Sequence, residues 1–198
     1  MRAGLRIVGP HPCTSGFSAR GGSGRSFMLT AGHCGTGVFR NGGAIYGSTD
    51  RNLYEESIDY DVQRIVRTNS SWSHSWYIFL NANDFRRIDS TIPNNQITVG
   101  TQVGQTGNGT GTTRGNVRML NVGKPIVGGP RVYVAADYCS SNGDSGGGVF
   151  RNNTAWGLHV TSTARGGGVS DCNNQHFRSY FLPIRTAASS LNVTIVHP

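Results

Sequence analysis

Short runs in which apolar and polar residues alternate recur along the whole chain, each bounded by Gly, Asn, Asp or Pro. Residues 26–30, 37–40, 44–47, 62–66, 96–99, 115–122, 131–135, 147–150 and 155–160 follow this pattern. Successive side chains of a strand point to opposite faces, so these runs predict short strands, and their regular spacing predicts an all-β sandwich or a pair of barrels. One segment departs from the pattern. Pro183 precedes Ile184-Arg185-Thr186-Ala187-Ala188, and a proline at the start with alanines behind it predicts a short terminal helix. The least strand-like connection, residues 81–95, is rich in Asn and Asp and contains Pro93; it divides the chain into halves, residues 1–90 and 91–198.

Composition sharpens this picture. A chain of 198 residues can bury a substantial core, and 29 glycines with only 14% charged residues suit tight turns and short strands rather than long helices. No apolar run approaches the roughly 18 residues of a membrane-spanning helix. The amino terminus does not read as a signal peptide, because Arg2, Arg6, Gly9, Pro10 and Pro12 interrupt its apolar stretch. The net charge of +8 raises nucleic acid as a partner. Its distribution argues against one: the arginines are scattered, and the pairs Arg86-Arg87 and Arg64 with Arg67 lack interleaved aromatics on which bases would stack. Four sequons begin at Asn69, Asn108, Asn152 and Asn192, as expected by chance in a chain rich in Asn, Ser and Thr. The cysteines Cys13, Cys34, Cys139 and Cys172 permit three pairings, and no CxxC pair favours a metal site.

Candidate chemistry begins at Gly143-Asp144-Ser145-Gly146-Gly147-Gly148, which sets a serine in a glycine-rich turn. Small neighbours let another backbone approach the hydroxyl, and a tight turn can aim the Gly143 and Ser145 N–H groups at one point as an oxyanion hole. A serine hydroxyl is a weak nucleophile until a neutral imidazole takes its proton, and that base needs an acceptor to orient it. Thr30-Ala31-Gly32-His33-Cys34 supplies the imidazole, and Ser57-Ile58-Asp59-Tyr60-Asp61-Val62 supplies two carboxylates, which face the same way along a strand of period two.

The motifs TAGHC, an Asp-led strand and GDSGG, in the order His, Asp, Ser, resemble the chymotrypsin-fold serine proteases. The Asp-Tyr-small-apolar pattern of the bacterial streptogrisin-like branch implies that Asp59, rather than Asp61, orients His33. The spacing of Cys139 from Ser145 is similar to that branch too, as is the end of the chain, with an aromatic-x-Pro segment, a short helix and a final strand at Asn192-Val193-Thr194-Ile195-Val196. The resemblance implies two packed six-stranded antiparallel β-barrels with a short C-terminal helix, His33 and Asp59 on the first and Ser145 on the second. It implies disulfides Cys13–Cys34 and Cys139–Cys172, hence a secreted protein, with targeting and pro-segments outside this sequence. It also implies a monomer acting on protein or peptide substrates, met by a pro-segment or protein inhibitor, with no metal or organic cofactor and no membrane. The rival class is a non-catalytic binding or toxin-like protein on the same fold.

Substrate preference divides the resemblance. His159, in Gly157-Leu158-His159-Val160, stands where glutamyl endopeptidases have Gly-Ile-His, which implies an S1 pocket that binds a glutamate carboxylate. Val149 and Phe181 occupy positions where some glutamyl relatives have further histidines. Asp137, two residues before Cys139, points to a basic P1 residue by similarity to the trypsins, or else caps a turn or pairs with an arginine; small or apolar P1 residues are the third answer. Val160, Thr161 and Ser162 are expected to pair with the substrate backbone as an added strand. Two departures stand out: Gly148 where the family usually has proline, and Val160 where relatives have a serine that supports the catalytic carboxylate.

Overall fold

The computed structural model describes residues 1–22, 24–56, 60–124, 130–163 and 172–198. The chain first lays down β1 (Arg6–Val8), β2 (Pro12–Thr14), β3 (Ser18–Arg20), β4 (Ser26–Thr30), β5 (Val38–Asn41), β6 (Ala44–Asn52), one helical turn α1 (Leu53–Glu56), and β7 (Gln63–Arg67). A hairpin of β8 (Tyr77–Asn81) and β9 (Asp84–Arg87) leads to β10 (Ser90–Thr91), β11 (Gln102–Gly107) and β12 (Gly111–Val122). Then come β13 (Tyr133–Ala136), β14 (Gly148–Arg151), β15 (Thr154–Ser162), β16 (Ser179–Pro183), helix α2 (Ile184–Ser190) and β17 (Thr194–Ile195).

Two barrel-like sheets result. The first has the order β17-β3-β4-β7-β6-β5-β1-β2. β2 and β3 lie in one bent stretch: the Gly16 N–H donates to the Leu29 carbonyl at 2.7 Å, carrying that stretch back onto β4 and closing the ring. The second runs β10-β15-β14-β11-β12-β13-β16, and β16 pairs back with β15, so six strands close around a core while β10 adds a short parallel edge. β17 returns from α2 to pair with β3 of the first sheet.

The alternating pattern has a double use here. On β4, Met28 packs inside the first barrel with Ile7, Phe39, Tyr46 and Ile65, while Phe27 and Leu29 face a second apolar cluster shared by both sheets. That shared cluster takes Tyr133, Phe150, Leu158 and Leu182 from the second sheet and Ile184 and Ala187 from α2. Trp156, Val117, Val134, Val149 and Phe181 fill the second barrel. Burying each large side chain contributes about 1.5–3 kcal/mol, so the shared cluster holds the two sheets together.

Two sequence expectations shift. Residues 96–99 are not a strand; after Pro93 the chain makes a 3-10 turn at Asn94–Gln96. Residues 81–95 hold all of β9 and of the short β10. Pro183 caps α2 in an extended conformation instead of starting it. Both expected disulfides form, Cys13–Cys34 and Cys139–Cys172, spanning 21 and 33 residues, for which loop closure contributes about 3–4 kcal/mol each. No helix among the described residues is long and apolar enough to cross a membrane.

Candidate active site

His33 sits in a 3-10 turn, Gly32–Cys34, at the end of β4. Buried amides fix this turn: Gln63 Nε2 donates to the Ala31 and Gly35 carbonyls at 3.0 and 3.1 Å, and Asn52 Nδ2 donates to the Gly32 carbonyl at 3.0 Å. Gly32 leaves the room this requires, since a Cβ there would lie 2.4 Å from Tyr54 Cβ. The Cys13–Cys34 disulfide pins the next residue.

Ser145 is presented by a turn in which Gly143 and Gly146 have φ of 95° and 86°, values that L side chains rarely adopt. A Cβ on Gly146 would also lie 2.0 Å from Thr30 Oγ1, so glycine lets the turn close onto β4. The first sheet grips it: Thr14 N–H donates to the Ser145 carbonyl at 2.8 Å and Thr14 Oγ1 donates to the Gly143 carbonyl at 2.7 Å. Behind it, the Asp144 carboxylate is fully buried and accepts from the N–H groups of Gly109, Thr110 and Ser141 and from Thr110 Oγ1. No cation meets Asp144 among the described residues; peptide dipoles and one hydroxyl stabilise it. The Gly143 and Ser145 amides donate to nothing among the described residues, which leaves them available to a substrate oxyanion.

The three chemical groups meet across the two sheets. Ser145 Oγ lies 2.8 Å from His33 Nε2, and His33 Nδ1 lies 2.9 Å from Asp61 Oδ2. A carboxylate only accepts, so Nδ1 carries the proton and Nε2 is left to accept from the serine hydroxyl. Asp61 Oδ1 also accepts the His33 backbone N–H at 2.9 Å, fixing ring and backbone together. The sequence expectation of Asp59 is therefore corrected to Asp61: both carboxylate oxygens of Asp61 are engaged by His33, and Asp59 lies outside the described residues. Asp61 is held from the second sheet, where the Tyr133 hydroxyl accepts its N–H at 2.9 Å and Lys124 Nζ donates to Oδ2 at 3.1 Å. Burial alone would raise the Asp61 pKa, yet the His33 hydrogen bonds and the charges of His33 and Lys124 bring it below the ordinary carboxylate value.

No family model matches the chain. Serine protease 2 of Streptomyces fradiae is 30% identical over 160 residues, covering 78% of this chain and 88% of the relative. The chain belongs to the chymotrypsin-fold serine proteases. Glutamyl endopeptidase 2 of Streptomyces griseus is 28% identical over 201 residues, covering 98% of both chains. Among solved structures, a glutamic acid specific serine protease that uses a histidine triad in substrate binding superposes with a TM-score of 0.82 at 25% identity, covering 99% of this chain and 100% of that one.

Beside the serine of this protease, β15 carries the remaining expected residues. His159 is 2% exposed, and its Nδ1 lies 3.0 Å from the hydroxyl of fully buried Tyr138. Burial, then the nearby charge of His33, lowers the His159 pKa to about 3, although Asp61 opposes the shift, so the ring is neutral near pH 7. Burial, then Asp144, raises the Tyr138 pKa well above 10.0, which keeps its hydroxyl protonated and able to donate to Nδ1. Val149 is buried, and Phe181 stands opposite His159 in the strand register. The β15–β16 ladder slips between His159 and Thr161, leaving Val160 as a bulge whose carbonyl lies 3.5 Å from Ser145 Oγ. Thr161 and Ser162 continue the strand opposite Tyr180 and Ser179.

Of the two readings of Asp137, a carboxylate for a basic P1 residue or a partner of an arginine, the structure shows the arginine pairing. Asp137 accepts the Asn116 N–H and forms an ion pair with Arg118, so its charge is already matched. Among the described residues no group of three or more His, Cys, Asp or Glu could hold a metal ion. Sequence reasoning missed Asn52, Gln63, Tyr133, Tyr138 and Lys124. For Lys124 a signal existed, since it is the only lysine in the chain and every other basic residue counted among the 18 Lys and Arg is arginine.

Proposed function

We propose that this protease is a secreted endopeptidase in which Ser145 attacks the scissile carbonyl and His33, oriented by Asp61, acts as base and then acid. The single observation that carries this reading is the continuous hydrogen-bond chain from Asp61 through His33 to Ser145, with links of 2.9 and 2.8 Å. The Gly143 and Ser145 amides stabilise the oxyanion, an acyl-enzyme forms on Ser145, and water hydrolyses it. An extended substrate lies along residues 160–162. The two disulfides support export from a reducing cytosol.

In this reading the P1 side chain is acidic. Tyr138 O–H donates to His159 Nδ1, which leaves the proton on Nε2, and that N–H is the donor for a glutamate carboxylate. Similarity to glutamyl endopeptidase 2 supports the assignment, as does the neutralisation of Asp137 by Arg118. Phe181 and Val149 leave one histidine backed by a tyrosine as the recognising unit.

Stoichiometric labelling of Ser145 by a fluorophosphonate tests the chemistry; a folded sample that fails to label ends it. Peptides differing only at P1, with Glu, Arg, Phe or Ala, test the specificity. Cleavage after Glu is expected to be fastest, and faster cleavage after Arg or Phe overturns the acidic assignment.

A further inference from the structure

The only lysine of this chain is spent inside it. Burying an ammonium is costly unless it is paired and hydrogen-bonded. The Lys124 side chain is 6% exposed, and its Nζ lies 3.1 Å from Asp61 Oδ2, the same oxygen that accepts from His33 Nδ1. It also lies 4.5 Å from the centroid of the Tyr54 ring, which meets the His33 ring in a T-shaped contact. Lys124 follows β12, so this cation reaches the carboxylate from the opposite sheet. Residue 160, where a serine hydroxyl would support the carboxylate in relatives, is valine and has no hydroxyl to offer.

We propose that Lys124 is a positioning residue that replaces a neutral hydroxyl donor with a fixed positive charge on the carboxylate that holds His33. The inference rests on the Ser145–His33–Asp61 reading above. A hydroxyl would orient Asp61 without altering its charge. An ammonium on the shared oxygen cancels part of the negative potential that favours a proton on the imidazole. Among the described residues, His33 and the Tyr54 ring face the Lys124–Asp61 pair, with the Tyr133 hydroxyl on the Asp61 N–H; burial keeps the nearby His159 neutral near pH 7. Lysine suits the place because its charge is compact, whereas the chain uses planar arginine for its exposed pairs with Asp50, Glu56 and Asp137.

The test compares kcat/KM against pH for the unmutated protein, Lys124→Met and Lys124→Gln, after fluorophosphonate labelling of the unmutated protein has established the nucleophile. Failure of that labelling counts against the proposed function and not against Lys124. With labelling intact, the acid limb is expected to move up by about one pH unit in both variants, because both remove the charge. The kcat of Lys124→Met should fall about tenfold, and less for Lys124→Gln, which keeps a donor. Folded variants whose acid limb coincides with that of the unmutated protein overturn the proposal. A measurement on the unmutated protein covers variants that do not fold: with 15N-lysine the chain gives one side-chain ammonium signal. That signal should be protected from water exchange and should shift with the midpoint of the acid limb. A fast-exchanging signal, or one indifferent to pH across that limb, also overturns the proposal.

Discussion

The Tyr133 hydroxyl accepts the backbone N–H of Asp61 at 2.9 Å, joining the second barrel to the residue that orients His33 in the first. With Lys124 on the side chain and Tyr133 on the backbone, the position of Asp61 depends on both sheets being docked. The site is thus a property of the interface, which explains why the largest apolar cluster runs between the barrels.

Asp61→Asn should lower kcat by about 10^4, because an amide that donates to the ring stabilises the wrong imidazole tautomer while leaving the geometry intact. Asp59→Asn should stay within about twofold of the unmutated rate. Steady-state kinetics of the two variants on one peptide substrate decides the assignment, and the reverse outcome would restore Asp59.

Tyr138→Phe removes the hydrogen bond to His159 Nδ1 while keeping the ring that fills the site. A buried nitrogen left without its donor costs about 1–3 kcal/mol, visible as a lower thermal midpoint. If His159 recognises an acidic P1 side chain through Nε2–H, the ratio of kcat/KM for Glu over Phe substrates should fall about tenfold or more. A loss of stability with that ratio unchanged would make the pair structural only.

How far these residues were legible in the sequence depends on the range of the contact involved. β4 could be read because Phe27, Met28 and Leu29 form a short apolar run between Ser26 and Thr30, and both of its faces prove apolar. β11, Gln102-Val103-Gly104-Gln105-Thr106-Gly107, could not, because its buried positions are largely glycine and polar residues held by neighbouring strands. His33 and Ser145 announce themselves by local glycine chemistry. Choosing between Asp59 and Asp61 was beyond a period-two argument, which treats them alike; the contacts that single out Asp61 come from His33, 28 residues away, and from Tyr133 and Lys124, 72 and 63 residues away. The Arg118 that neutralises Asp137 sits on a neighbouring strand, so motif spacing alone could not say which arginine, if any, would pair with that carboxylate.

Stability should fall on mild acidification. The His159 pKa is about 3 in the folded protein against the ordinary 6.5, so between those values the unfolded chain binds a proton that the native state refuses. Folding free energy is therefore complete above about pH 6.5 and is lost as pH falls towards 3, by a few kcal/mol for a group so deeply buried. Asp61, whose pKa is also depressed, adds to the loss at the lower end of this range. Denaturant titrations at several pH values should show this slope in the unmutated protein and a shallower one in His159→Gln. Equal slopes would mean that His159 does not carry the effect.

Gly148 stands where relatives usually have proline, and its surroundings give the reason. A Cβ there would lie 2.8 Å from Ile78 Cδ1 and 2.9 Å from Phe17 Cζ, two buried side chains of the shared cluster. Ile78, on β8, and Phe17 occupy the space that a larger residue would need, so glycine follows from the packing and not from catalysis. Gly148→Ala should then cost about 1–3 kcal/mol by overpacking. Adding Ile78→Val deletes the methyl group nearest the new Cβ and should recover part of the loss, although the valine alone costs about 0.5–1.5 kcal/mol. A double-mutant cycle of thermal or denaturant midpoints measures this coupling. Additive losses would show that the strain at residue 148 comes from the backbone or Phe17 instead of Ile78.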